Sequence, residues 1–343
     1  HLRGRPSQAS PESPPMHRIA PLVLALCALA IPGAADGRQP GSALVYTVHR
    51  SGPSWFTIIA VTNTNTQKAS PNSLGGTTDV HYQYVNVTPG SHPLRPAGCN
   101  VTNRVETLTP ADTLVVLTTC HNAFQPGGQE GYLVVSALDP VMGTTWAHDH
   151  LVGSELVVSA SGAVYGMNAI PFVHRRGGDP SDNVLDFDDV EYESAPENLI
   201  IPSFISLASS QLALLSLTGS DRDLNKVRIT AYNDNEYLLS DVIEFNCWFD
   251  QPLVTVSPIF GEGFLKGTPN DPAELDIACN GKGRIETGWA RLDSILVKTP
   301  GGTTIATDGV ILGSITAKDT KMDGGALLWE SVERQSNGKA FTP

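Results

Sequence analysis

The chain has 343 residues, 41% of them hydrophobic, 17% charged and only 7% aromatic, a balance that fits globular domains and excludes a disordered tail or a multi-span membrane protein. Its length suggests about two domains. The formal charge of −13 excludes nucleic acid and anionic membranes as partners, because both would repel it.

Residues 1–15 are rich in Pro, Ser and Arg, carry no periodicity and precede the first methionine, so they are read as an upstream, non-native segment. From Met16 the pattern changes. His17 and Arg18 form a basic start, Ile19 to Ile31 is an apolar run, and Gly33-Ala34-Ala35 supplies small residues for cleavage. Residues 16–35 are therefore expected to be a secretory signal peptide cut after Ala35. A membrane anchor needs about 20 apolar residues, and Pro21, Pro32 and Gly33 confine this run to less. Leu26 before Cys27 speaks against a lipid-anchored form. Cleavage would remove three arginines and one glutamate, giving a mature charge of −15, and would leave four cysteines: Cys99, Cys120, Cys247 and Cys279. An even number in an exported chain suggests two disulfides. The expected location is secreted, periplasmic or cell-surface, with no membrane span after cleavage.

The rest is built of short Val, Thr, Ile and Leu runs between Gly, Pro, Asn and Asp clusters, the pattern of antiparallel strands. Strands are predicted over Ala43–His49, Phe56–Asn63, Asp79–Val87, Leu114–Thr119, Tyr132–Ala137 and Glu155–Ser159. After an acidic stretch they resume over Ala213–Leu217, Lys226–Asn233, Asp241–Asn246, Leu253–Val256, Arg284–Arg291, Ser294–Lys298 and Val310–Ala317. The predicted fold is all-β: two tandem antiparallel sandwich-like domains, 41–174 and 198–331, joined by an acidic linker over 175–197 and followed by a polar tail over 332–343.

Three segment matches suggest an internal duplication. Gly143-Thr144-Thr145-Trp146-Ala147-His148-Asp149 resembles Gly302-Thr303-Thr304-Ile305-Ala306-Thr307-Asp308, each followed by a Gly-Ser pair, Gly153-Ser154 and Gly313-Ser314. Gly131-Tyr132-Leu133 is set against Gly283-Arg284-Ile285, and Pro110 to Val116 against Asp250 to Val256. Four cysteines allow three connectivities. The repeat favours Cys99–Cys120 and Cys247–Cys279, one staple per domain.

The segments Thr62-Asn63-Thr64-Asn65, Leu108-Thr109-Pro110, Gly131-Tyr132-Leu133-Val134-Val135 and Leu151-Val152-Gly153 resemble those of a group of secreted, uncharacterised β-rich proteins from environmental bacteria, over roughly residues 50–170. That resemblance implies compartment and architecture. It brings no activity and no catalytic residue.

Chemistry is sparse. His148 and His150 flank Asp149, and two histidines at i and i+2 on a strand share a face and can supply nitrogens to zinc or copper. His121, His81 or Asp139 would have to be the third ligand, and the reading that follows is a secreted metal-dependent hydrolase. Asp182, Asp186, Asp188, Asp189, Glu191 and Glu193 form a carboxylate run suited to calcium, a cofactor the chain suggests but does not require. The reading there is a calcium-stabilised domain pair. The run lacks the glycine turn and ligand spacing of an EF-hand. No nucleophile elbow, phosphate loop or zinc-protease motif occurs, so no catalytic residue is assigned. For binding, Trp146, Tyr82, Tyr84 and Phe264 are the aromatic candidates, the last in the glycine-rich loop Gly261–Gly267. Asn86-Val87-Thr88 and Asn100-Val101-Thr102 fit the glycosylation pattern and are expected at the surface. The function expected is a non-catalytic, exported protein with a binding or structural role in the cell envelope or matrix, its partner an envelope or extracellular polysaccharide or protein.

Overall fold

The computed structural model describes residues 39–330, apart from 124, 126, 161, 163, 176–183, 206–209, 235, 266–278, 280–285 and 319–322. Residues 1–38, with the expected signal peptide, and 331–343 lie outside the described residues.

The fold is all-β and sandwich-like. The first half supplies β1 (Ala43–Ser51), β2 (Trp55–Asn63), β3 (Thr78–Thr88), β4 (Gly98–Leu108), β5 (Thr113–Leu117), a one-turn helix α1 (Thr118–His121), β6 (Gln129–Leu138), β7 (Leu151–Ser159), β8 (Val164–Asn168) and β9 (Ile170–Phe172). The second half supplies β10 (Asn198–Ile205), β11 (Ser210–Ser216), β12 (Leu224–Asn233), β13 (Leu238–Phe245), β14 (Trp248–Pro252), α2 (Leu253–Val256), α3 (Glu262–Leu265), β15 (Thr287–Lys298), β16 (Thr304–Ala306), β17 (Ile311–Lys318), β18 (Asp323–Leu327) and β19 (Trp329–Glu330). Among the described residues no helix is long and apolar enough to cross a membrane.

In the first half, β1 and β2 pair only through Ser51 and Phe56, and the sheet turns over at that corner. One layer runs β4-β3-β6-β1-β9 and the other β5-β2-β7-β8. Side chains alternate along a strand. Leu44 and Tyr46, Tyr82 and Tyr84, and Leu133 and Val135 therefore meet Ile59, Val61 and Leu151 in one core. The second half has layers β13-β12-β15-β10-β19 and β14-β11-β17-β18, with Ile201, Val227, Ile229 and Leu292 packed on Leu212, Leu214 and Ile311.

These strand orders are the same once β1 to β9 are read as β10 to β15 and β17 to β19. The likeness extends to detail. The β1–β6 ladder shifts register between Tyr46 and His49, and the β10–β15 ladder shifts between Ile201 and Phe204. Gly131 in β6 and Gly288 in β15 sit opposite Asn86 and Asn233, where a Cβ would fall 1.9 Å from the Val85 carbonyl oxygen and 2.2 Å from that of Tyr232. Only glycine fits so close an approach.

The layers stack. The face of β14-β11-β17-β18 carrying Ala213, Leu215, Trp248 and Leu312 packs on the outer face of β4-β3-β6-β1-β9, through Ala43, Val45, Tyr132 and Val134. A third core thus joins the two halves. The arm between β3 and β4 adds a clasp. Leu94 at its tip is buried among the second half's core residues, Arg95 pairs with Glu244 at 2.6 Å, and Cys99 is disulfide-bonded to Cys247.

That bond corrects the expected pairing. Cys120 and Cys279 are free and exposed. Two of the three repeat matches are also displaced. Gly153 and Gly313 do take equivalent positions, facing Val61 and Leu214. Thr113, however, corresponds to Trp248 and not Leu253, since the two face Thr62 and Leu215, and the position of Gly131 is taken by Gly288, while Gly283 lies outside the described residues. The predicted strand Leu253–Val256 is the one-turn helix α2, directly after β14, as α1 directly follows β5. The stretch read as an acidic linker carries Leu185, Phe187, Tyr192 and Ala195 into the joining core.

Candidate functional site

His148 and His150 lie in the turn before β7, not on a strand, and their rings approach to 5.2 Å. The turn is pinned from several sides. Ser42 accepts the His148 backbone N–H at its Oγ (2.8 Å) and donates that hydroxyl to Asp149 Oδ1 (2.7 Å), which also accepts the His174 N–H (2.8 Å). Asn63, buried at the end of β2, donates its amide to the carbonyls of Gly76 and Thr109, so its Oδ1 faces His148 Nε2 at 3.0 Å as an acceptor. That contact places the ring proton on Nε2. Trp146 stacks on His148 with centroids 5.3 Å apart and donates its indole N–H to Thr78 Oγ1. Burial, then the neighbouring His150, lowers the His148 pKa to about 4, against an opposing pull from Asp149.

The residues considered as a third ligand are engaged elsewhere. His121 Nδ1 lies 2.8 Å from Tyr84 Oη and its Nε2 lies 3.4 Å from Glu106. His81 Nε2 is 3.1 Å from Asn103, and Asp139 accepts the backbone N–H groups of Val141 and Met142. Among the described residues no group of three or more His, Cys, Asp or Glu side chains is placed to hold a metal ion.

The acidic run is likewise dispersed. Asp182 lies outside the described residues. Asp188 accepts the Val190 N–H at 2.8 Å, Asp189 and Glu193 flank Arg175 at 3.0 and 3.6 Å, and buried Glu191 accepts the Asp186 N–H at 3.1 Å. These carboxylates tie a loop to itself and to Arg175. They do not converge on one point.

Of the aromatic candidates, Tyr82 and Tyr84 have no exposed surface. They fill the first core, stacked at 6.4 Å. Trp146 is half-buried, and Phe264 alone is well exposed, on α3. Asn86 is buried as well, bonded to Asn122 and Thr102, which overturns its expected surface position, whereas Asn100 is exposed.

Three features had no motif to announce them. Arg50 is buried where the halves meet. It pairs with Glu130 (2.6 Å) and with Asp250 of the second half, and lies 5.1 Å over the Trp55 ring. Burial works against its charge, and the two carboxylates outweigh it and raise its pKa. His49 is wholly buried, 3.3 Å from the Val85 carbonyl and edge-on to Tyr84, and burial lowers its pKa to about 4. Glu155 points into the first core with neither carboxylate oxygen hydrogen-bonded, and burial raises its pKa far above the usual range. Glu155 was legible: the period-two series Leu151, Gly153, Glu155, Val157 sets it on the inner face. A cleft of about 450 Å³ lies between the β3–β4 arm and β13, lined by Leu94, Arg95, Lys226, Asp241, Glu244 and Thr255.

No protein-family model, curated protein or solved structure matches the chain.

Proposed function

We propose that this chain is an exported, non-catalytic protein with a structural or binding role at the cell surface or in the extracellular matrix, built by internal duplication of one sandwich. The observation that carries the reading is the Cys99–Cys247 disulfide, which crosses from one half to the other. Such bonds persist in oxidising compartments and are rare where thiols are kept reduced.

Around it the polar side chains of the junction serve cohesion. Arg50 bridges to Asp250, Trp248 donates its indole N–H to the Thr47 carbonyl at 2.9 Å, and Thr47 donates its hydroxyl to Ser314 at 2.8 Å. A body joined by a core, an ion pair and a covalent clasp suits a rigid structural element or a platform for an envelope polysaccharide or protein. The shared strand order, the bulge common to β1 and β10, and the glycines at 131 and 288 support the duplication. The test is expression with the leader intact in a bacterial host, followed by fractionation and N-terminal sequencing. The expected product lies outside the cytoplasm and begins near Asp36. An uncleaved chain held in the cytoplasm with reduced cysteines would overturn the reading.

A further inference from the structure

The outer layer of the first half, β5-β2-β7-β8, has an unusual face. All residues of these four strands are described, and their one charged side chain, Glu155, points inward. What points outward is uncharged and mostly apolar, with Thr62, Thr113, Ser154, Gly166 and Asn168 among the apolar side chains. Leu117, Ile58 and Leu156 form one cross-strand row, Val115, Ala60 and Ser154 the next, and Phe56, Val158 and Val164 a third. Val115 is 58% exposed, Val164 43% and Leu156 38%. Four strands about 4.8 Å apart, averaging about seven residues of about 3.3 Å, make a face of roughly 450 Å². An apolar-rich face of that size matches the largest patch of a typical monomer, which is often functional.

The other half of the molecule shows what covers such a face. The equivalent layer, β14-β11-β17-β18, presents Ala213, Leu215 and Leu312 where the first half has Ala60, Thr62 and Val152. That face is buried against a β-sheet of the same chain.

We propose that the β5-β2-β7-β8 face is an interface between two copies of this chain, packed sheet on sheet about a two-fold axis. One other sheet face of the molecule is a candidate cover: the outer face of β13-β12-β15-β10-β19, equivalent to the face that is covered in the first half. That face carries exposed Leu238, Val242, Trp289 and Trp329, but set among them are exposed Arg228 and the Arg291–Asp293 ion pair, with Lys226 along the same strand. An uncharged sheet laid over it would strip water from those charges with nothing to replace it. Against a second copy of itself, the β5-β2-β7-β8 face desolvates no charge, and a two-fold contact needs a surface complementary to itself. Two such faces would bury on the order of 1,000 Å², at the low end for a specific interface, so the dimer is a weak, reversible one. The excess negative charge of each copy opposes association, and added salt strengthens it.

The experiment is sedimentation velocity on the purified, oxidised chain from about 1 to about 300 µM at low and high salt, with a double variant Val115→Lys/Leu156→Lys and a control Arg228→Glu. Near-ultraviolet circular dichroism confirms that each variant is folded. The expected result is a monomer–dimer equilibrium that the lysine pair abolishes and Arg228→Glu leaves unchanged. A chain monomeric throughout overturns the proposal, as does a dimer indifferent to the lysine pair. Larger species broken by both variants would mean head-to-tail stacking and also overturn it. So would a monomer that floats with neutral phosphatidylcholine vesicles, since lipid would then be the occupant.

Discussion

His49 provides a test of how the fold responds to acid. It is wholly buried, neutral, and its pKa is lowered to about 4 by burial, so in this range the unfolded chain holds a proton that the folded chain refuses. Its contribution is intact above about pH 6.5, the ordinary histidine value, and is lost as pH falls toward 4. A group shifted from 6.5 to 4 destabilises the fold by about 2 kcal/mol at pH 5 and about 3 kcal/mol at pH 4, relative to pH 8. The second half suggests the replacement, because Phe204 occupies the position equivalent to His49, after the same bulge and beside the equivalent glycine. His49→Phe should therefore fold and should remove that part of the acid sensitivity. At about 2.1 cal/mol/K per residue, 3 kcal/mol in a folded body of about 300 residues corresponds to roughly 5 °C in Tm. The assay is calorimetric or circular-dichroism melting of wild type and His49→Phe at half-unit steps from pH 8 to pH 4. The two curves should diverge below pH 6.5, with the variant falling less. Parallel curves would show that His49 is not held neutral in the core and would refute the reasoning.

Glu155 has the opposite sign, since a raised carboxyl pKa makes the folded chain the tighter proton binder and stability is lost as pH rises above the unfolded value. Glu155→Gln should therefore raise Tm at pH 8 more than at pH 4, and a uniform loss in melting scans would contradict this. Asp250→Asn leaves the buried Arg50 with Glu130 alone and should cost about 3 kcal/mol in urea unfolding, as loss of one partner of a buried pair does; a change within 0.5 kcal/mol, about the size of an ordinary surface substitution, would mean the pair is solvated. Cys99→Ser/Cys247→Ser opens a loop of 148 residues, worth about 5 kcal/mol by loop-closure entropy or roughly 8 °C in Tm, whereas Cys120→Ser/Cys279→Ser should leave Tm unchanged. Melting in EDTA and then in calcium should give superimposable curves, because Asp188, Asp189, Glu191 and Glu193 are engaged by backbone N–H groups and Arg175; a calcium-dependent rise lost in Asp188→Ala would restore an ion site there.

Much of the fold was legible because two-residue alternation and β-branched runs are local signals. The runs at Ala43, Phe56, Lys226 and Val310 all became strands within a residue or two of the predicted bounds. β4 was missed because it is an edge strand with mostly half-exposed or exposed side chains, among them Arg104 and Glu106, so it lacks an apolar rhythm. The Leu253–Val256 error has the same root in reverse: an apolar run next to a strand end looks like the strand itself. The disulfide was illegible for a different reason. A repeat implies that each half closes on itself, whereas Cys99 and Cys247 are brought together only by the stacking of one half on the other. The histidine pair, expected on one face of a strand, lies instead in the turn before β7, and the engagement of His148 depends on Asn63, which is 85 residues distant. No spacing rule reaches that far.

The stacking of the two halves is the claim on which the rest depends, and non-reducing peptide mapping of the purified chain tests it most directly. A proteolytic fragment containing Cys99 joined to one containing Cys247, with Cys120 and Cys279 labelled as free thiols, is the predicted result. Recovery of Cys99 joined to Cys120 would contradict it, since each half would then be stapled to itself and the clasp between them would not exist.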